Sequence, residues 1–249
     1  MHRFHLPPAE CRAEKLRLTA AEAHHATRVL RVQPGERVAV LDGAGCALLC
    51  EVAEVSKREV TLRVVQKSFS PPLPCQITLL QAVPKGKIIE SIIQKATELG
   101  VHRIVPILSE RVTTRVEDGS GADKVAKWQL VAVEAIKQCG AAWLPKVDAP
   151  LNPKAFLANV DKFDLTLVGS LQADARHPAN LLREFKAAHG VMPRSAAVWI
   201  GPEGDFSPEE LEAIQSAGAQ PITLGRLVLR VETAAIYCLS VLNYELQRD

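Results

Sequence analysis

GPEGDFSPEE (201–210) directly follows the apolar run SAAVWI (195–200), and together the two read as a buried strand, a glycine loop and a helix start. Ser207 with Glu210 makes a capping box, Pro208 takes the first helical position, and the helix is expected to end at Gly218. Glycine loops between a strand and a helix usually cradle phosphate with backbone N–H groups. This one carries Glu203, Asp205, Glu209 and Glu210, and the next Lys or Arg is Arg226, so a phosphate would be repelled there.

The unit is one of a series. QITLLQAV (76–83), VHRIVPIL (101–108), FDLTLVGS (163–170), AAVWI (196–200) and QPITLG (220–225) are strand candidates. Between and after them lie helical stripes. KGKIIESIIQKATELG (85–100) is apolar at 88, 89, 92, 93, 96 and 99, with Gly100 as its C-cap. Residues 123–139 place Val125, Trp128, Val131, Ala132, Ala135 and Ile136 on one side. PANLLREFKAAHG (178–190) and RVETAAIYCLSVLNYELQ (230–247) complete the set. Strand and helix alternating over about 175 residues predict an α/β domain with a mainly parallel sheet.

The first part of the chain reads differently. Thr19 with Glu22 is a second capping box, opening a short helix AAEAHHATRVLR (20–31). RVAVLD (37–42), CALLCEVAEV (46–55) and EVTLRVVQK (59–67) are β-rich runs separated by GAG and SKRE, which predicts a small barrel. SFSPPLP (68–74) holds three prolines in seven residues and reads as a linker, dividing the chain into domains 1–72 and 73–249.

Composition sets the class. A hydrophobic fraction of 47% and a charged fraction of 23% are those of a globular chain. The apolar runs are short and broken by charge, which excludes a membrane-spanning helix, and MHRFHLPPAECRAEK (1–15) lacks the apolar region of a signal peptide. A cytoplasmic protein is expected. Cys11, Cys46, Cys50, Cys75, Cys139 and Cys238 form no C-x-x-C pair, and Cys46 and Cys50 would lie about 13 Å apart along a strand, so reduced cysteines and no metal are expected. Residues 1–72 hold 11 Lys and Arg against 8 Asp and Glu, while residues 73–249 hold 19 against 20. A small basic lobe on a near-neutral body is compatible with a polyanionic partner and equally with ordinary surface scatter.

In open α/β sheets a ligand sits beyond the carboxyl ends of the strands. Three loops occupy that edge: VGSLQAD (168–174), GPEGDFS (201–207) and LGRLVLRVETA (224–234). No G-x-x-x-x-G-K-[ST], H-E-x-x-H or G-x-S-x-G motif is present, and GAGCAL (43–48) precedes a strand rather than a helix. An acidic glycine loop suits a ligand with a positive charge and ribose hydroxyls, a description S-adenosylmethionine meets. A plain turn fits GPEG as well.

GPEGDFSPEE followed by LGRLVLRVETA resembles the signature of the RsmE family, SPOUT-class S-adenosylmethionine-dependent methyltransferases of 16S ribosomal RNA. HHATRVLRVQPGE (24–36), KGKIIESIIQKATELGV (85–101), ERVTTRV (110–116) and EAIKQCG (134–140) match as well, in order. The resemblance implies an N-terminal PUA-like β-barrel that grips RNA and a C-terminal SPOUT α/β domain with a trefoil knot. It further implies a homodimer with the cofactor pocket near the subunit interface, and methylation of N3 of uridine 1498 in 16S rRNA, free or in the small ribosomal subunit. Many relatives have glycine where Asp205 stands, Arg where Leu227 stands, and Arg where Ala141 stands.

On that resemblance the cofactor residues are Ile200, Gly201, Glu203, Gly204, Leu224, Gly225 and Leu229. The RNA-binding residues are Arg3, Arg28, Arg31, Lys85, Lys87 and Arg111. Uracil N3–H is a weak acid, so the site must position N3 and help its proton leave. Arg230 is assigned to stabilising the uracil anion or a nearby phosphate, and Glu232 to acting as base or orienting Arg230. An ordinary Arg–Glu pair at a helix start is the competing reading. Two rival functions remain: a non-catalytic RNA-binding module, which would not bind S-adenosylmethionine, and a related SPOUT enzyme acting on tRNA or 23S rRNA.

Overall fold

The computed structural model describes residues 1–112, 121–158 and 162–247, so ERVTTRV from 113 onward lies outside the described residues. The chain divides into two compact units. The first comprises Met1–Pro72 with Val133–Leu144; the second comprises Leu73–Ala132 with Pro145–Asp249.

The first unit holds β1 (Arg3–His5), β2 (Lys15–Leu18), α1 (Ala20–His24), β3 (Arg37–Leu41), β4 (Cys46–Val55) and β5 (Val60–Phe69). Its sheet runs β1-β3-β4-β5-β2, with β1 parallel to β3 and the other pairs antiparallel. Among the described residues no ladder joins β1 to β2, so the expected barrel is a sheet with those two strands at its edges. Alternate residues turn inward: Phe4, Leu16, Leu18, Val38, Val40, Leu48, Val52, Val60 and Leu62 form one core. β1 and β2 are 3 and 4 residues long, too short for alternation to reveal them. β5 reaches Phe69, so the linker starts at Ser70.

The helix at 20–31 is α-helical only to His24 and continues as a π-helical turn over His25–Leu30, closed by Arg31 in the left-handed region (φ 55°). The expected capping box at its start does not form. Thr19 is the N-cap but its side chain makes no capping bond. The Glu22 carboxylate is used elsewhere: it accepts a hydrogen bond from the buried Lys137 ammonium at 2.7 Å. Lys137 belongs to α3 (Gly121–Cys139), whose last turns pack with the first unit. Arg3 donates to the Lys137 and Gln138 carbonyls at 3.2 and 2.8 Å, satisfying backbone acceptors left over at the end of α3.

The second unit is a parallel sheet in the order β11-β9-β10-β6-β7-β8. The strands are β6 (Gln76–Ala82), β7 (Arg103–Ile107), β8 (Lys146–Val147), β9 (Leu165–Gly169), β10 (Ser195–Ile200) and β11 (Gln220–Ile222), and every neighbouring pair is parallel. The helices are α2 (Ile88–Glu98), α4 (Pro153–Ala158), α5 (Pro178–His189), α6 (Pro208–Ser216) and α7 (Val231–Leu246). β8 and α4 are short elements that the pattern did not announce. Gly100 closes α2 as expected: it follows the last half-helical residue Leu99 in the left-handed region (φ 75°), and the Gly100 and Val101 N–H groups bond back to the Thr97 and Ala96 carbonyls.

Five of the six residues of β10 are buried, as parallel packing with both faces covered requires. One face carries Leu80, Ala82, Val105, Ile107, Val168, Ala197 and Trp199, covered by Phe156 of α4 and Ile214 of α6. Elsewhere in the unit α2 packs on α7, burying Ile89, Ile92, Ile93, Ala235, Leu239 and Leu242. Cys238 is buried within α7, and burial pushes its thiol up to about 12, in line with a small apolar side chain.

The Lys137 ammonium bonds both Glu22 and Glu134 at 2.7 Å. Burial alone would lower its pKa, but the bonds from the two carboxylates outweigh that and hold it above the ordinary value of 10.5. Its contribution is therefore complete below pH 10.5 and is lost only as pH rises through the raised value. Lys137→Met leaves the Glu22 carboxylate uncompensated and is expected to destabilise the protein by about 3 kcal/mol in urea denaturation, with Lys137→Met/Glu22→Leu recovering most of that loss.

Candidate active site

The sheet order brings together loops that are far apart in sequence. β11, β9 and β10 are adjacent, so the three glycine loops beyond their carboxyl ends become neighbours. β6 lies next to β10 and delivers the start of α2 to the same place. Here the strand order reverses, since the chain runs from β6 outward through β7 and β8 and then returns on the other side of β6.

A cavity of about 520 Å³ occupies this edge. The loop after β9 contributes Gly169, Ser170 and Leu171; the loop after β10 contributes Gly201, Pro202, Glu203 and Asp205. The loop after β11 contributes Leu224, Gly225 and Leu227–Arg230, and the first turn of α7 adds Val231, Glu232 and Ala234. Ile88 closes the wall from α2. The volume is in the range of small-molecule sites, about 300–1,000 Å³. Three carboxylates, Glu203, Asp205 and Glu232, line it against the single cation Arg230.

The loop after β10 is held at its far end by Phe206. This ring is buried and meets Trp199 edge-on at 6.1 Å, and Trp199 in turn meets Phe156 at 5.3 Å. The Ser207 capping box forms as expected: Ser207 Oγ accepts from the Glu210 N–H at 3.3 Å, and Glu210 Oε2 accepts from the Ser207 N–H at 3.0 Å. Gly201 eases the fold of the loop, because a Cβ there would lie 3.0 Å from Asp205 Oδ1, close enough that the carboxylate would have to shift. Gly225 serves the backbone alone: its φ of +115° is closed to side chains, while nothing crowds it.

Asp205 is a turn residue. Its φ is 61°, its N–H donates to the Pro202 carbonyl at 2.9 Å, and its Oδ1 accepts from the Phe206 N–H at 2.8 Å. Asp is one of the few residues that tolerates this conformation, through such a local hydrogen bond.

Of the seven residues assigned to the cofactor, Ile200, Gly201, Glu203, Leu224, Gly225 and Leu229 line the cavity. Gly204 is absent from the lining, and its carbonyl accepts from Arg111 at 2.7 Å. Arg230 and Glu232 both line the cavity, and among the described residues neither side chain has a hydrogen-bond or ion-pair partner, so no Arg–Glu pair forms. Ser170, Leu171, Asp205, Val228 and Ile88 were not foreseen; the loop signal covered the first four, while Ile88 enters from the start of α2, which follows β6, and the linear pattern does not name β6 as the neighbour of β10.

The residues assigned to RNA are scattered over both units. Arg28 and Arg31 are exposed on the π-helical turn and its cap. Lys85 and Lys87 are exposed in the loop before α2, where the Lys85 N–H donates to Glu203 Oε1 at 3.2 Å. Arg3 and Arg111 are occupied by backbone carbonyls of the chain itself. Nothing in the structure assigns a role to Ala141.

A parallel sheet with an acidic, glycine-walled cavity at its switch point is paired here with a separate small β unit, and known families share that combination. Residues 71–243 match the family described as RNA methyltransferase domain, and residues 18–65 the one described as RNA methyltransferase PUA domain. The class is thereby an RNA methyltransferase. Within it the chain belongs to the ribosomal RNA small subunit methyltransferase E family: it is 30% identical to the Synechocystis protein of that name over 97% of this chain and 77% of that one. Two solved structures are similar. A candidate methyltransferase from Legionella pneumophila, in complex with the bound cofactor SAM, has a TM-score of 0.87 and 31% identity, covering 98% of this chain and 97% of that one. A ribosomal RNA small subunit methyltransferase E from Neisseria gonorrhoeae, bound to S-adenosyl methionine, has a TM-score of 0.86 and 26% identity over 98% of each chain.

The turn geometry at Asp205 makes a stability prediction. Asp205→Gly removes the side-chain bond and the left-handed strain together and is expected to change stability by less than about 0.5 kcal/mol. Asp205→Ala keeps the strain without the bond and is expected to be less stable than Asp205→Gly by about 1 kcal/mol in urea denaturation.

Proposed function

We propose that this chain transfers a methyl group from S-adenosylmethionine to N3 of uridine 1498 in 16S ribosomal RNA. The observation that carries the reading is the cavity itself, which is acidic, apolar in part and without a phosphate-binding lysine, in a chain of this family. A cationic donor suits three carboxylates, and the apolar Ile200, Leu224 and Leu229 suit an adenine ring. Ile200, Gly201, Glu203, Leu224, Gly225 and Leu229 would hold the donor, largely through backbone groups. When bound, it supplies an electrophilic methyl group on a sulfonium.

Arg230 and Glu232 supply what uracil needs. Glu232 accepts the N3 proton as the new nitrogen–carbon bond forms; a carboxylate with no partner among the described residues suits a proton acceptor better than an orienter of Arg230. Arg230 stabilises the negative charge that spreads to the uracil oxygens. Arg28, Arg31, Lys85 and Lys87 contact RNA phosphates, positioning the substrate without reading its sequence.

The finer architecture belongs to the same proposal: residues 1–72 as a PUA-like RNA-binding domain, residues 73–249 as a SPOUT domain with a trefoil knot, a cytoplasmic homodimer. Large apolar side chains at the cavity rim support a subunit interface there, with Leu227 76% and Val228 78% exposed in the single chain.

Incubating the protein with the donor and whole small subunits, then mapping the modified nucleotide, tests the reading; methylation at another base or on another RNA refutes it. In single-turnover assays Arg230→Ala and Glu232→Gln are each expected to slow methyl transfer by about 100-fold or more. Near-wild-type rates with intact donor binding would remove both assignments.

A further inference from the structure

Three consecutive residues beyond β7 reach across to the loop after β10 and to the first turn of α6 that follows it. Ser109 Oγ donates to Glu210 Oε2 at 2.7 Å, the Glu110 N–H donates to Glu210 Oε1 at 2.9 Å, and Arg111 Nη1 donates to the Gly204 carbonyl at 2.7 Å. β7 is not a neighbour of β10, since β6 lies between them. The strap 109–111 therefore passes the carboxyl end of β6 to hold a loop two strands away. One anchor is buried: Ser109 is 5% and Glu210 7% exposed. The other is exposed and rests on Arg111, whose Cδ and Cβ lie 3.6 and 3.8 Å from where a Cβ on Gly204 would sit.

Gly204 is flanked by Glu203 and Asp205, which both line the cavity while Gly204 does not. The loop thus has two sides. Its inner side presents Glu203 and Asp205, and its outer side turns the Gly204 carbonyl to Arg111. Glu203 is restrained further by the Lys85 N–H. The Glu210 carboxylate, already used by the capping box, gathers donors from Ser207, Ser109 and Glu110.

We propose that Arg111 is a positioning residue for the donor pocket, clamping the outer side of the loop so that Glu203 and Asp205 face the bound cation, with Ser109 and Glu210 as the second clamp. The proposal rests on the donor assignment above. It differs from an RNA-contact role, because the clamp acts before any RNA is present.

Calorimetry with S-adenosylmethionine and RNA-free protein separates the two. If wild-type protein does not bind the donor, the donor assignment falls and this proposal with it, and that result is read before any variant. With wild-type binding established, Arg111→Ala is expected to weaken donor binding about tenfold, as loss of a charge-assisted hydrogen bond predicts. Arg111→Lys, which keeps the stem and a donor, is expected to restore binding to within about threefold of wild type. Ser109→Ala is expected to weaken it about threefold through the other clamp. In steady state the KM for the donor should rise with Arg111→Ala while kcat at saturating donor changes less than about twofold. Arg111 is exposed, so its variants are expected to fold; if Arg111→Ala does not, Arg111→Lys and Ser109→Ala carry the test. Donor affinity unchanged in these variants, with a shallower salt dependence of RNA binding for Arg111→Ala, would overturn the proposal and make Arg111 a phosphate contact.

Discussion

The edge-on contact of Trp199 with Phe206 governs the site. Trp199 stands near the end of β10 and fills one face of the sheet. Phe206 must return to it, so only residues 201–205 are available to leave the strand, arch over the edge and come back. So short a return leaves little freedom. Asp205 takes a left-handed conformation, and a Cβ on Gly201 would sit tightly, 3.0 Å from the Asp205 carboxylate. Burial of two large rings stabilises by several kcal/mol, enough to hold one strained residue at about 1–2 kcal/mol. Core packing therefore fixes the two ends of the cavity wall.

The acidity of GPEGDFSPEE divides into two functions once the geometry is known. Glu210 points inward, is satisfied by neighbouring N–H and O–H donors and serves the fold. Glu203 and Asp205 face the cavity and set its electrostatic character. Glu209 is exposed at the first turn of α6, where a negative charge is favourable beside the helix N-terminus. Of the four carboxylates that make the loop hostile to phosphate, only two line the cavity.

Local signals carried well from sequence to structure. The Ser207 capping box, the stripe on α2 and the loops beyond β9, β10 and β11 are each encoded within a few residues, and each was readable. The failures are non-local. Thr19 and Glu22 have the spacing of a capping box, but Lys137, 115 residues away, takes the carboxylate. The carbonyls that Arg3 and Arg111 meet are likewise invisible in the sequence, because nothing adjacent to either arginine shows them. Gly204 belongs to the right motif yet faces away from the cavity, since motif membership does not tell the two sides of a loop apart. The adjacency of β11, β9 and β10 is a property of sheet order, which hydrophobic periodicity does not contain. The family resemblance supplied what periodicity lacked, naming eight of the eighteen residues of the cavity wall without deriving why those residues meet.

Arg3 and Glu22 have a consequence for how the protein is made. Their partners at Lys137 and Gln138 lie near the middle of the chain, so the first unit is discontinuous in sequence. During synthesis β1 to β5 emerge first, yet the Glu22 carboxylate has no cation and Arg3 no carbonyl to cap until the end of α3 has also emerged. By then β6, α2 and β7 are already outside. The first unit thus completes its packing only after the first strands of the second unit have left the ribosome, so the two units overlap in the order of synthesis.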